Sequence, residues 1–145
     1  MNFHIREALE CMSKEQLVDL IIQYGENDYY MIALFLLNSE FPFSVEELQG
    51  IWNGVYETAV ILDRKDDSRG ADLLADCAEL YFTHIKRQRE EKLQLELAQK
   101  LVNDLTRACV EDGIGMRSDS EWLYTEVANR IAKHYDGKLE LPDGI

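Results

Sequence analysis

Proline is almost missing: Pro42 and Pro142 are the only two, and the 99 residues between them contain none. Sheet proteins need turn residues every few positions, whereas a helix interior excludes proline, so a stretch this long without it favours helices. Cysteine is scarce as well. Cys11, Cys77 and Cys109 are odd in number, widely spaced and without a C-x-x-C pair. They read as reduced, mostly buried small hydrophobes in a chain long enough to hold a core without staples. Long apolar runs are absent too. The longest, Tyr29 to Leu37, is nine residues, against the ~20 needed to span a bilayer. Met1 to Glu7 has no basic segment leading into an apolar one, so no secretory signal is expected. The expected location is cytoplasmic, with no membrane partner.

Positive charge is the remaining shortage. The chain has 15 Lys and Arg against 28 Asp and Glu, a net charge of −13. That balance favours solubility and disfavours nucleic acid and anionic lipid as partners. Lys86, Arg87, Arg89 and Lys92 form a local basic stretch, but Glu90 and Glu91 interrupt it. Hydrophobic residues at 46% with 30% charged place the chain among globular proteins.

What is present is helical periodicity, punctuated by capping signatures. An opening segment around Phe3–Met12 has loosely helical spacing. Ser13-Lys14-Glu15-Gln16 is a capping box, in which a serine hydroxyl and a glutamine side chain satisfy free amides reciprocally. Leu17, Leu20, Ile21 and Tyr24 follow on one face, and Gly25 suits the stop. Asn27-Asp28 starts a second helix through Leu37, apolar nearly all round, and residues 1–40 read as a helical hairpin. Ser44-Val45-Glu46-Glu47 is a second capping box. It opens a helix to about Leu62 whose inner face is Val45, Leu48, Trp52, Val55, Tyr56, Ala59 and Leu62. Gly50 and Gly54 weaken that helix, which suggests another backbone close by.

Asp63–Gly70 reads as the clearest loop. A fourth helix, about Ala71–Arg87, turns Leu74, Ala78, Tyr81, Phe82 and Ile85 inward. A fifth, about Glu90–Glu111, has Leu93, Leu97, Leu101, Leu105 and Cys109 at i+4 steps. No glycine or proline divides these two, so 71–111 reads equally as two helices or one long bent one. Gly113 and Gly115 break the chain. Ser118-Asp119-Ser120-Glu121 is a third capping signature, followed by Trp122, Leu123, Val127, Ile131 and Tyr135. Residues 137–145 read as an extended or frayed tail. The expected fold is all-α, a single domain over 1–145. Five or six helices pack as antiparallel hairpins, either as a bundle or as a short α-repeat array.

Candidate chemistry fails on spacing. An EF-hand loop from Asp63 would need an oxygen ligand at Lys65 and glycine at Ser68. Cys77 and His84 share a helix face, but two ligands do not make a zinc site, and no H-x-x-x-H or E-x-x-H supplies the others. His4, His84 and His134 are scattered, without a nucleophile elbow nearby. The pairs Glu46-Glu47, Asp66-Asp67 and Glu90-Glu91 diverge by about 100° on a helix rather than converging. No catalytic, cofactor or metal residue is therefore assigned. Aromatics are the suggestive feature: Tyr24, Tyr29, Tyr30, Phe35, Phe41 and Phe43 crowd the first hairpin and its exit. Most suit the core, and any surplus left exposed among Tyr24, Tyr29, Tyr30, Phe41 and Phe43 would mark a partner surface.

The passage Leu9-x-x-Met12-Ser13-Lys14-Glu15-Gln16-Leu17-Val18-Asp19-Leu20-Ile21, with Asn27-Asp28 leading the next helix, resembles bacterial helical segments that accompany SWIM-type zinc fingers. The resemblance is firmest over residues 9–37. It implies an α-helical interaction or scaffold module. The finger itself, C-x-C followed by C-x-H, is absent, so no metal or nucleic-acid role carries over. The leading expectation is a non-enzymatic module that binds a protein partner or itself. An acidic decoy or antitoxin-like protein that neutralises a basic partner is one alternative. A small enzyme using His84 in an interhelical cleft is another.

Overall fold

A computed structural model describes Ser13, Glu15 and residues 32–141. Lys14 and Gln16 of the first capping box, most of the expected 1–40 hairpin, Cys11 and the end of the tail lie outside the described residues. Within them, regular structure is helical throughout: a segment at 32–38, α1 (Val45–Arg64), α2 (Arg69–Lys86), α3 (Glu91–Val110), a 3-10 turn (Met116–Ser118) and α4 (Glu121–His134). No strand occurs among the described residues, and none of their helices is long and apolar enough to cross a membrane.

The start of α1 is the expected capping box. Ser44 Oγ accepts from the Glu47 amide at 3.2 Å, and Glu47 Oε1 accepts from the Ser44 amide at 3.1 Å. Such a cap stabilises by about 1 kcal/mol. The end of α1 differs from expectation. The helix continues to Arg64, and α2 already begins at Arg69, so the expected loop Asp63–Gly70 shrinks to 65–68. Asp66 takes a left-handed conformation (φ 58°), which lets its amide reach the Asp63 carbonyl and the Asp67 amide reach Leu62. This is a Schellman closure with aspartate where glycine is usual. Asp67 then turns the chain into α2: Oδ1 accepts from the Arg69 amide at 3.0 Å, while Ser68 makes no capping bond. Hydrogen bonds from Arg69 hold the Asp67 carboxyl below its ordinary pKa.

Gly70, which was not among the glycines expected to do so, makes a close helix contact, and Gly50 makes none. A Cβ on Gly50 would meet nothing within 4 Å, whereas one on Gly70 would lie 2.7 Å from the Ala59 carbonyl oxygen. Gly70 is therefore what lets the start of α2 lie against α1. The α2/α3 question resolves into two helices, with 87–90 between them.

Named contacts give the helix directions. Gly70 meets Ala59 and Tyr81 stacks on Trp52, so α2 runs back along α1. Trp52 meets Asp104 and Tyr56 meets Arg107, so α3 runs parallel to α1. Tyr135 reaches Gln94 near the α3 start, and α4 runs antiparallel to α3. Glu79 pairs with Arg130 and Phe82 meets His134, which makes α4 parallel to α2. The result is an alternating bundle with α2 packed against α1, α3 and α4. Its core includes Trp52, Leu74, Ile85, Leu101, Leu105, Ile114, Tyr124 and Ile131, all virtually inaccessible. Cys77 is buried in it as a free thiol whose pKa desolvation pushes up; Cys109 is also free and half-buried.

The third capping signature is displaced. Gly113 (φ 60°) and Gly115 (φ 81°) adopt left-handed conformations, and Ser118 falls in the 3-10 turn that follows. The α4 cap position belongs to Ser120, without a side-chain bond. The tail, expected to be extended or frayed, is fastened as far as it is described. Leu139 packs on the core, and the Gln99 side chain both accepts from the Glu140 amide and donates to its carbonyl, each at 2.8 Å.

Candidate functional site

Three groupings of polar and aromatic side chains stand out among the described residues. The first ties α1 to α3, whose backbones touch little. Trp52 Nε1–H donates to Asp104 Oδ2 at 2.9 Å inside the core, and the Trp52 ring stacks on Tyr81 at 5.7 Å. Arg107 sits 3.7 Å from Asp104, lies over the Tyr56 ring and donates from Nε to the Tyr56 hydroxyl at 3.2 Å. That hydroxyl donates in turn to Asp112. Burial first, and the bond to Asp112 second, push the Tyr56 pKa up; burial and then Asp104 do the same to Tyr81. Both phenols thus stay protonated far above neutral pH, and the network acts as a mechanical tie.

The second grouping surrounds His84. The ring is 4% exposed, and Nε2 lies 2.7 Å from the Leu37 carbonyl oxygen. A carbonyl can only accept, so Nε2 carries the proton in this bond. Phe43 stands 5.9 Å away, ring to ring. Desolvation lowers the His84 pKa, against the bond to Leu37, which raises it. His84 therefore pins the 32–38 segment to α2. Although Cys77 shares its helix and is buried too, no group of three or more His, Cys, Asp or Glu is placed to hold a metal ion among the described residues.

The third lies where α3 begins and α4 ends. Phe82, His134 and Tyr135 form an edge-to-face cluster. Beside it is an open cleft of about 550 Å³ lined by Glu91, Gln94, His134, Tyr135, Asp136 and Lys138. Its polar groups are largely engaged with one another: Tyr135 donates to Gln94 at 3.0 Å, and Lys138 pairs with Glu91.

Of the aromatics expected as partner-surface candidates, Phe43 is buried in the core and Phe41 is half-buried, 5.1 Å from it. Tyr24, Tyr29 and Tyr30 lie outside the described residues. Among the described residues, the exposed large hydrophobics are elsewhere: Val110 (59%), Met116 (57%), Trp122 (60%) and Leu141 (49%). Three of these lie on or beside the α3–α4 connection: Val110 ends α3, Met116 opens the 3-10 turn and Trp122 is in the first turn of α4. That connection is pinned at several points: the Ile114 amide to the Ala108 carbonyl at 3.0 Å, the Ser120 amide to Gly115 at 2.9 Å, and the Tyr124 hydroxyl to the Ile114 carbonyl. The Gly115 amide also donates to Asp63 Oδ1 at 2.9 Å. The end of α3, the fastened connection and the first turn of α4, which carry Val110, Met116 and Trp122 in turn, make the α3–α4 corner.

Trp122, first of the apolar residues that follow the third capping signature, lies outside the buried face of the last helix. The buried stripe of α4 and its cap is Tyr124, Val127, Ala128, Ile131 and Tyr135, at steps of three and four. Trp122 shares its side with Glu126 and Asn129, both exposed. That signal was available in the sequence. The chain matches no family model, and no curated protein or solved structure matches it.

Proposed function

We propose that this chain is a helical protein-interaction module whose contact surface is the α3–α4 corner, with Trp122 as anchor. One observation carries the reading: a tryptophan more than half exposed in the first turn of α4, beside Met116 on, and Val110 at the start of, a connection fastened by backbone and tyrosine hydrogen bonds. Scattered surface apolar residues are ordinary, but a large aromatic on a pre-ordered turn loses little entropy when it docks. Tryptophan is also among the residues that dominate interface energetics. The likeness of residues 9–37 to helical accessory segments supports the same role, and a cytoplasmic partner is the working expectation.

The test is site-specific photocrosslinking in cells. A photoreactive phenylalanine analogue at position 122 or 116 should give a discrete adduct, and the same group at exposed Glu57 on α1 should not. Adducts from all three positions alike, or from none, would refute the assignment.

A further inference from the structure

Besides its apolar residues, the corner carries acids. Glu111, Asp112, Asp119 and Glu121 lie between Val110 and Trp122, with Arg117 as the one base of that stretch. Arg107 approaches Asp112 through the Tyr56 hydroxyl, and the α1–α2 turn beside the connection balances Arg64, Lys65 and Arg69 with Asp63, Asp66 and Asp67. Arg117 is paired with Asp66, so its charge is already offset. Asp112 is occupied by the Tyr56 hydroxyl. Glu111 and Asp119 are exposed and form no ion pair among the described residues. The apolar anchor thus sits in a negative field, on a chain whose net charge is −13.

That field chooses among occupants. A second copy would meet the same corner through a twofold interface, acid against acid, between two strongly negative chains. Nucleic acid and anionic lipid carry the same sign and are repelled as well. A basic segment is attracted instead. Its apolar side chain can pack on Trp122 and Met116, while its lysines or arginines face Glu111 and Asp119 or lie over the indole ring. We infer that the α3–α4 corner docks a basic segment of another protein bearing an apolar anchor, an inference that rests on the interaction reading above.

The experiment is a titration of the full-length, nitrogen-15-labelled chain with a short amphipathic lysine–leucine peptide, alongside a glutamate–leucine peptide of equal length. The expected result is saturable shifts in the Trp122 indole and the amides of 108–124 with the lysine peptide alone. Trp122→Ala should weaken binding about tenfold or more. Glu111→Gln with Asp119→Asn should weaken it at low salt and flatten its salt dependence, because exposed charges are screened over about 10 Å at 0.1 M. Shifts spread over the acidic surface, equal shifts with the glutamate peptide, or no shifts would overturn the inference. So would corner resonances that move on dilution before any peptide is added, since the occupant would then be a second copy. A discrete crosslink at position 122 combined with peptide failure would leave the interaction reading standing and remove only the basic occupant.

Discussion

Replacing Asp104 by alanine removes the acceptor from a buried indole N–H. Trp52 Nε1 and Asp104 Oδ2 are 2.9 Å apart, Trp52 is 1% exposed and Asp104 is 9% exposed. Water cannot easily replace the lost partner. An uncompensated buried donor costs about 1–3 kcal/mol, and a hydrogen bond to a charged group contributes about 1.5–3 kcal/mol. These describe the same loss from two sides and are not added. The Arg107 contact at 3.7 Å adds little, because that side chain is 48% exposed and such pairs are worth about 0–1 kcal/mol. Asp104→Ala should therefore destabilise by about 2–3 kcal/mol, read as a lower urea midpoint at unchanged slope. Asp104→Asn keeps an oxygen for the indole and should cost about 1 kcal/mol. In a cycle with Trp52→Phe, the two changes should couple by about 1.5–3 kcal/mol, since removing both partners strands neither. A loss below about 0.5 kcal/mol for Asp104→Ala, or coupling near zero, would refute the view that this bond ties α1 to α3.

Gly70→Ala should destabilise by about 1–3 kcal/mol, because its Cβ would press on backbone at 2.7 Å. Gly50→Ala, with open space around it, should stabilise α1 by about 1 kcal/mol; both are read from urea midpoints, and the reverse order would refute the packing. His84 has a folded pKa below its ordinary value of 6.5, so the unfolded chain binds the proton first on acidification. Its contribution is complete above about pH 6.5 and is lost as pH falls toward the folded value. The wild-type urea midpoint should accordingly fall more than that of His84→Phe on acidification from neutral pH, whereas equal slopes would contradict this. Gln99→Ala should speed hydrogen exchange at the Glu140 amide while costing global stability about 1 kcal/mol or less; an unchanged exchange rate would show that the tail is held elsewhere.

How much of this was legible depended on the distance between partners. The Ser44–Glu47 box is readable because both partners lie within one helical turn, and the Leu97–Leu101–Leu105 ladder because its period is local. The all-helical bundle followed from such patterns. The Ser118 signature misled because two left-handed glycines, Gly113 and Gly115, wind the next residues into a 3-10 turn before α4 begins. The short α1–α2 link was hidden by charge. A run of Asp, Arg and Lys looks like a long loop, yet Asp66 supplies a left-handed closure that glycine normally provides. Gly50 and Gly70 are indistinguishable locally, and only the path of the neighbouring helix separates them. The Trp52–Asp104 bond joins residues 52 positions apart, and no local pattern announces it. Trp122 was readable, since its helical phase sets it apart from Tyr124, Val127 and Ile131.

The central claim is that Trp122 serves contact rather than folding, and one paired measurement on Trp122→Ala tests it most directly. The variant's urea midpoint and the yield of the crosslink from position 116 should be taken on the same protein. An exposed side chain changes stability by about 0.5 kcal/mol at most, so the midpoint should hold while the crosslink disappears. An intact crosslink at an unchanged midpoint, or a large fall in the midpoint, would contradict the account.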